Sequence, residues 1–323
     1  MLKKLANKFL LEIMKNYLLL LAILVFNIGF SQSDSIVESE VSINKFIDGT
    51  LTMPVAGEQP NLVILIQGSG PTDRNGNGFM MKNNASKLIA KELAKNGIAS
   101  YRFDKRIFKM NKFKIREEEL SFEDFVQDVS SILDYFKAEK TYKKIIIAGH
   151  SEGSLIGMLA AKDKADAFIS LAGAGRSIDK IIVDQLAKQS EGLAENAKSS
   201  FQDIREKGKS IEYNPLLQSI FRPSVQPFLK SWMKYEPTEV ISTLEIPILI
   251  INGSFDIQVD TSEAQLLKEA NPKAQLVILD KMNHVFRKID GDNLENTKAY
   301  NEPNRALHPE LMSTLVDFIK TIK

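Results

Sequence analysis

Short apolar runs alternate with stretches of helical periodicity along the first half of the chain. The strand-like runs are residues 62–66, 98–103, 145–148 and 167–171. The stretches with apolar residues at helical spacing are 82–95 and 121–136. Continuous apolar runs are typical of strands covered on both faces, and strands alternating with helices favour a parallel sheet. The pattern therefore predicts an α/β fold with a mainly parallel, doubly wound sheet.

Residues 41–54 carry a different pattern, in which apolar and polar positions alternate on both sides of Asp48-Gly49. An Asp-Gly pair between two alternating runs is a signal for a tight hairpin turn. We expect the sheet to begin with an antiparallel hairpin that turns at these two residues.

The alternation of strands and helices stops between residues 176 and 244. Only helical patterns occur there, including a long amphipathic stretch over 178–207. Strand and helix patterns resume at 246–251, 262–269, 275–279 and 309–322. We interpret 176–244 as a helical lid inserted into a sheet domain that consists of residues 32–175 and 245–323.

Residues 1–31 resemble a secretory signal peptide. Four lysines precede the apolar run 17–26, and Gly29 and Ser31 supply small residues where a signal peptidase reads the chain. We expect a secreted or periplasmic protein, cleaved near Ser31, without stable membrane association after cleavage. Met1 and Met14 are both candidate start residues. An uncleaved membrane anchor or a buried helix are the alternatives, although the apolar run is short for a bilayer span.

Composition limits the kinds of partner, catalytic group and metal site that this chain can have. The 42 Lys and Arg against 41 Asp and Glu leave a net charge of +1, so charge gives no argument for a nucleic-acid partner. The chain has no cysteine, which excludes disulfides and thiolate catalysis. His150, His284 and His308 are its three histidines, too few to favour a histidine metal site. We predict no metal and no cofactor.

One motif, in contrast, suggests a metal site. Asp73-x-Asn75-x-Asn77-Gly78 matches the first half of a calcium-binding EF-hand loop. Asn84 stands where the bidentate glutamate belongs, and no helical pattern precedes the loop. A turn-rich loop is the favoured interpretation.

The strongest chemical signal is Gly149-x-Ser151-x-Gly153, at the point where the run 145–148 passes into a helical pattern. This is the nucleophile elbow, in which a serine sits on a sharp strand-to-helix turn and glycines let the neighbouring backbone pass closely. We predict Ser151 as the nucleophile. A serine that merely caps the following helix is the alternative.

Two further residues follow predicted strands. Asp256 comes after 248–251 and His284 after 276–279, and functional groups of open α/β sheets gather beyond the carboxyl ends of strands. The predicted roles are His284 as general base and Asp256 as the group that orients its imidazole. His150, inside the elbow, is interpreted as structural, and His308 is the reserve candidate for the base.

The elbow, the loop 68–76, the corner 102–106 and the segment 253–259 together resemble the α/β-hydrolase superfamily. Within it the likeness is to bacterial esterases grouped with serine aminopeptidase-like hydrolases, from about residue 62 to the end of the chain. Gln67 stands where that family commonly has histidine. Ile107-Phe108 replace its usual glycine-containing continuation, which affects the local loop shape and substrate fit.

The resemblance implies a carboxylesterase acting on small-molecule esters with small acyl groups, with an oxyanion hole from the amides of Ser69 and Glu152. A peptidase, another acyl hydrolase and a non-catalytic binding protein on the same scaffold are the alternatives. In the predicted lid, apolar residues gather over 220–235, and we expect Phe228 and Trp232 to line the substrate pocket. Packing of these residues onto the sheet domain is the competing interpretation.

Overall fold

The computed structural model describes residues 36–55 and 59–323. The signal peptide predicted for residues 1–31 lies outside the described residues. Within those ranges, none of the helices combines the length and the apolar character that a membrane span requires.

The described chain builds one sheet of eight strands. The strands are β1 (Val37–Ser42), β2 (Asp48–Met53), β3 (Leu62–Ile66), β4 (Ala99–Phe103), β5 (Ile145–His150), β6 (Ala167–Leu171), β7 (Ile248–Gly253) and β8 (Gln275–Leu279). Their order across the sheet is β1-β2-β4-β3-β5-β6-β7-β8. The pairs β1 with β2 and β2 with β4 are antiparallel, and every later pair is parallel. The predicted mainly parallel sheet is confirmed.

Helices cover both faces of this sheet. Those outside the predicted lid are α1 (Ala85–Lys95), α2 (Met110–Phe113), α3 (Phe122–Glu139) and α4 (Glu152–Ala161) before it, and α10 (Thr261–Ala270), α11 (Asn293–Ala299) and α12 (Pro309–Thr321) after it. Alternate residues of β3 enter different cores: Leu62, Ile64 and Ile66 pack with α3 and α4, whereas Val63 and Leu65 pack with α1 and α12. Burial on both faces explains why the strand is a continuous apolar run.

The hairpin is present, but the predicted position of its turn is wrong. Asp48 and Gly49 lie within β2, and the turn spans residues 43–47, where the Asn44 carboxamide oxygen accepts the amides of Phe46 and Ile47. A Cβ on Gly49 would overlap the buried ring of Tyr101 on β4. Glycine is required here by close packing against a distant aromatic ring, not by turn geometry.

Between β6 and β7 the chain is helical. Its helices are α5 (Ile178–Ala187), α6 (Glu191–Lys207), α7 (Gln218–Phe221), α8 (Gln226–Trp232) and α9 (Pro237–Ser242). The amphipathic stretch 178–207 is two helices, because the chain breaks before Ser190, whose hydroxyl caps α6 by accepting the Leu193 amide. Residues 186–233 contribute an apolar cluster of their own, centred on Phe201 and Phe221.

Candidate active site

Ser151 occupies the corner between β5 and α4 in a strained backbone conformation. Its φ of 54° and ψ of −120° lie in a region that residues other than glycine rarely adopt. The corner is held by the Ser151 amide, which donates to the Leu171 carbonyl over 2.9 Å, and by the Ser151 carbonyl, which accepts the Ser154 amide over 2.9 Å. The hydroxyl of Ser151 does not cap α4. The Ser151 hydroxyl is therefore not engaged in capping the helix that follows it.

The two glycines of the elbow are required by close backbone contact. A Cβ on Gly149 would overlap the carbonyl of Gly153. A Cβ on Gly153 would lie 2.6 Å from the carbonyl oxygens of Ile66 and Gln67, at the end of β3. Both obstacles are main-chain atoms, which yield less readily than side chains.

We therefore expect Gly153→Ala to lower the free energy of unfolding by about 1–3 kcal/mol, as overpacked sites do. Gly192→Ala is the matched control, because Gly192 is exposed in α6 and a Cβ there has ordinary space. Urea unfolding of both variants measures the difference. A Gly153→Ala protein as stable as Gly192→Ala would contradict the close contact at the elbow.

His284 and Asp256 meet beyond the ends of β8 and β7. The His284 Nδ1 lies 2.7 Å from Asp256 Oδ2, and both side chains are buried. The other carboxylate oxygen of Asp256 accepts the amides of Gln258 at 2.8 Å and Val259 at 2.9 Å. Because Nδ1–H donates to the carboxylate, Nε2 is the nitrogen left to accept a proton.

Two buried asparagines connect the loops that carry this pair. The Asn283 carboxamide oxygen accepts the amides of Val285 and Arg287, and its nitrogen donates to Asn296 Oδ1 over 3.0 Å. Asn296 in turn donates to the carbonyl of Phe255, the residue before Asp256, over 2.8 Å. The position of His284 relative to Asp256 thus depends on a hydrogen-bonded network as well as on the direct contact.

The other two histidines have different surroundings. The His150 ring lies 4.7 Å from the rings of both His284 and Phe286, and its Nε2 is 2.9 Å from the His284 carbonyl oxygen. Loss of hydration, together with His284, holds the pKa of His150 well below its usual range. His308 caps α12: its Nδ1 accepts the Glu310 amide, and its Nε2 is 2.9 Å from the Asp280 carbonyl oxygen. Both ring nitrogens of His308 are therefore already engaged.

Ser69 and Glu152, the predicted oxyanion-hole residues, border the same cavity as Ser151. Ser69 follows the end of β3, and Glu152 is the first residue of α4. Both residues line the same cavity as Ser151, and neither amide donates a hydrogen bond to any described residue. Two free donors that border the cavity of a serine can stabilise a negative oxygen.

Three neighbouring cavities lie at this site, and Ser151 lines two of them. The serine cavity, of about 360 Å³, is lined by Ser151, Ser69, Glu152 and residues of α5. The histidine cavity, of about 80 Å³, is lined by both Ser151 and His284. The apolar cavity, of about 370 Å³, shares Ser69 and Glu152 with the serine cavity and is also lined by Phe125, Leu120 and Ile107 among others. The structure thus brings Ser151 and His284 to one small cavity, with larger spaces next to it.

The predicted pocket residues contact both a cavity and the core. Phe228 lines the apolar cavity, and Trp232 lines the apolar and the serine cavities. Trp232 also stacks on Phe122 of α3, with centroids 5.3 Å apart, and the Phe228 ring lies 5.6 Å from that of Phe125. The two interpretations of this stripe are therefore compatible, because each ring packs against an aromatic residue of α3 and also borders a cavity.

The departures noted in the sequence have local explanations. Gln67 is buried, and its carboxamide oxygen accepts the Ser86 hydroxyl over 2.8 Å. Ile107 lies in a 3₁₀ turn (Arg106–Lys109) and lines the apolar cavity, which ties that substitution to the shape of the site. In the EF-hand-like loop, Asp73 Oδ1 accepts the backbone amides of Asn75 and Asn77, so this carboxylate stabilises the loop itself.

Sequence reasoning missed two residues of the site. Gln258 lines both the serine and the histidine cavities, and its side chain donates to the Tyr300 hydroxyl over 3.0 Å. Lys105 is buried beside Ser69 and Glu152 and forms an ion pair with the latter. The Asp-Lys-Arg corner was a visible signal in the sequence, but nothing local to it indicates which side chain faces the site.

Comparisons with known proteins agree with this architecture. The family model described as serine aminopeptidase, S33, matches residues 77–287. Est1E from Butyrivibrio proteoclasticus is a structural neighbour with a TM-score of 0.54 at 16% identity, covering 88% of this chain and 99% of its own. The esterase Pf2001 from Pyrococcus furiosus has a TM-score of 0.55 at 15% identity, with coverages of 90% and 92%. The acylaminoacyl peptidase from Pyrococcus horikoshii has a TM-score of 0.54 at 17% identity, covering 91% of this chain and 43% of its own.

No curated protein matches this sequence significantly. At such low identities, the structural neighbours establish the α/β-hydrolase fold. The family model covers about two thirds of the chain, including the elbow, Asp256 and His284. The chain belongs to the serine aminopeptidase-like (S33) family of α/β-hydrolases.

Proposed function

We propose that this protein is a serine hydrolase that cleaves carboxylic esters of small acyl groups through an acyl-enzyme intermediate. The observation that carries the proposal is the strained Ser151 corner, which shares a cavity with His284 while the other nitrogen of that imidazole bonds to buried Asp256. A serine needs a neighbouring base to become a nucleophile, and the base needs a fixed tautomer. These residues supply both conditions.

The proposed reaction has two steps. The Ser151 oxygen attacks the ester carbonyl while its proton passes to His284 Nε2, and the negative oxygen of the tetrahedral intermediate accepts the amides of Ser69 and Glu152. His284 then protonates the departing alcohol as the acyl-enzyme forms. Water attacks the acyl-enzyme by the same route, with His284 as base, and releases the acid and free Ser151. Asp256 stabilises the charged imidazole throughout.

Cavity sizes support a modest acyl group. The serine cavity of about 360 Å³ and the apolar cavity of about 370 Å³ are at the lower end of the range for small-molecule sites. The acyl chain extends toward these spaces, while the departing alcohol lies near His284. Esters with modest apolar acyl groups fit this arrangement.

Charge in the site favours an ester over a free aminoacyl substrate. An aminopeptidase has to bind the ammonium group of its substrate, usually with a carboxylate. The carboxylates that border the three cavities in the described chain are Glu117 and Glu152. Glu117 pairs with Arg222, and Glu152 pairs with Lys105. An acylated peptide remains the second candidate, because its blocked terminus needs no such partner.

A substrate panel tests this proposal. We expect turnover of p-nitrophenyl acetate, butyrate and hexanoate, with kcat/KM for aminoacyl p-nitroanilides lower by at least about a hundredfold. An N-acetylated aminoacyl p-nitroanilide separates the acylpeptide alternative. Preferred cleavage of the free aminoacyl anilides would overturn the ester assignment while leaving the serine mechanism in place.

Phe228 and Trp232 are expected to set acyl selectivity. Phe228→Ala or Trp232→Ala should change the ratio of kcat/KM on butyrate over hexanoate esters by roughly tenfold, because each removes cavity wall as well as packing. Phe122→Leu is the control, since Phe122 packs on the same tryptophan but is fully buried and lines none of the three cavities. Loss of thermal stability in all three variants without any change of this ratio would refute the pocket role.

We also propose that the protein is exported, with residues 1–31 removed near Ser31. The charged and apolar pattern of that segment supports the proposal, as does a chain free of cysteine. Expression of the full chain in a bacterial host, followed by fractionation and mass determination, tests it. An intact N-terminus in the cytosolic fraction would contradict export.

A further inference from the structure

Lys105 is a buried lysine two residues beyond β4, at the edge of the site. Its side chain is 6% exposed, and its Nζ lies 2.8 Å from the Gly68 carbonyl oxygen and 2.6 Å from Glu152 Oε1. The ammonium group also lies 5.0 Å from the centre of the Phe125 ring. A buried ammonium is costly unless it is paired and hydrogen-bonded. Here its partners are the carbonyl of Gly68, the residue before Ser69, and the carboxylate of Glu152, the residue after Ser151.

The first partner fixes the peptide between Gly68 and Ser69. A trans peptide is planar, with its carbonyl and its N–H pointing in opposite directions. When Lys105 holds the Gly68 carbonyl on one side, the Ser69 N–H is directed away from it on the other side. A positive charge at the carbonyl also polarises the peptide and strengthens its N–H as a donor.

The second partner is the side chain of Glu152, whose own amide is the other free donor next to Ser151. Glu152 is 1% exposed at its side chain, so its carboxylate depends on Lys105 for compensation. One ammonium group thus joins the loop after β3 to the first residue of α4. This ammonium group therefore fixes the separation and the direction of the two amides.

We propose that Lys105 is a positioning residue that holds the two oxyanion-binding amides, those of Ser69 and Glu152, in register. The inference rests on the proposed function, since it concerns the oxygen that forms during ester attack. Lys105 acts through the Gly68 peptide and through Glu152.

The neighbouring ion pair supplies a matched comparison. Arg106 is the next residue, and its guanidinium makes two bonds of 2.7 Å with buried Asp128 of α3. That pair already anchors the corner 104–106 to the core, and neither residue lines any of the three cavities. Comparing variants of these two buried ion pairs therefore distinguishes a role in the site from a role in stability.

The test is the double variant Lys105→Met with Glu152→Gln, which removes both charges together and leaves no buried ion unpaired. We expect kcat for p-nitrophenyl butyrate to fall by about 10- to 100-fold with KM within about twofold, the pattern of an interaction made in the transition state. The inhibition constant of a trifluoromethyl ketone, whose adduct carries a negative oxygen, should rise by the same factor. Arg106→Met with Asp128→Asn should lower the melting temperature and leave both quantities within about twofold.

Unchanged kcat and inhibition constant in the folded double variant would overturn the role of Lys105, as would an equal loss in the Arg106 and Asp128 variant. If the double variant does not fold, Glu152→Gln alone is measured, which keeps Lys105 on the Gly68 carbonyl but removes the charge link. We then expect about a tenfold loss of kcat with a parallel rise in the inhibition constant, and no change would again overturn the inference. Wild-type protein that neither turns over esters nor binds the ketone would instead refute the proposed function.

Discussion

Ser151→Ala is expected to reduce ester hydrolysis by about a millionfold, the scale of loss seen when a serine nucleophile is removed. The fold should be unaffected, because the Ser151 hydroxyl caps no helix and makes no hydrogen bond within the described chain. Turnover of p-nitrophenyl butyrate and the circular dichroism spectrum measure the two effects.

Ser154→Ala is the matched control for that variant. Ser154 lies one turn further along α4, is buried, and bonds to the Ser170 hydroxyl over 2.8 Å. Its loss should reduce stability by about 1 kcal/mol and leave kcat within a few-fold. Ser151→Ala protein that retains activity within tenfold of the wild type would eliminate Ser151 as the nucleophile.

His284→Ala is expected to cause a loss of similar size, because the serine and its base act as one unit. His308→Ala should retain turnover. Its ring accepts the Glu310 amide at the start of α12, so the variant should instead lose roughly 1 kcal/mol of stability, the usual effect of removing a helix cap. Initial rates and urea unfolding of the two proteins measure these effects.

The pair of histidine variants decides between two assignments made from sequence. Activity lost in His308→Ala and kept in His284→Ala would move the general base to α12. Equal, small effects in both would indicate that neither imidazole takes the serine proton. The bond between His284 and Asp256 leads us to expect neither of these patterns, but loss of activity in His284→Ala with turnover kept in His308→Ala.

Much of the fold and the candidate site could be predicted because the relevant signals are local. The strand β3 is apolar at every position since it is covered on both faces, and its period is visible without a structure. Ser151 lies at a corner marked by its own neighbours. Asp256 and His284 follow directly from a rule about strand ends, which needs only the strands to be identified.

The errors and omissions involve residues far apart in the chain. Asp48-Gly49 has the composition of a turn. Yet position 49 requires glycine because the ring of Tyr101, 52 positions later, occupies the space that a Cβ would need. The bond of Lys105 to Gly68 and Glu152 spans 37 and 47 positions, and no periodicity indicates such a contact. The short helix α11 was missed as well, because seven mostly polar residues carry no amphipathic period.

Phe228 and Trp232 illustrate a different limit. A stripe of aromatic residues at helical spacing indicates burial, but burial against a core and burial around a substrate have the same pattern in sequence. In the structure Trp232 stacks on Phe122, Phe228 meets Phe125 edge to face, and both rings also border a cavity. Only the shape of the surrounding surface separates the two roles.

Labelling with a fluorophosphonate tests the central claim most directly, because the reagent forms a stable adduct with an activated serine and requires no knowledge of the substrate. We expect one adduct per folded molecule, located by peptide mass spectrometry at Ser151 and lost in His284→Ala. Folded protein that remains unlabelled, or that carries its adduct at another residue, would contradict the account and favour a non-catalytic binding role for this scaffold.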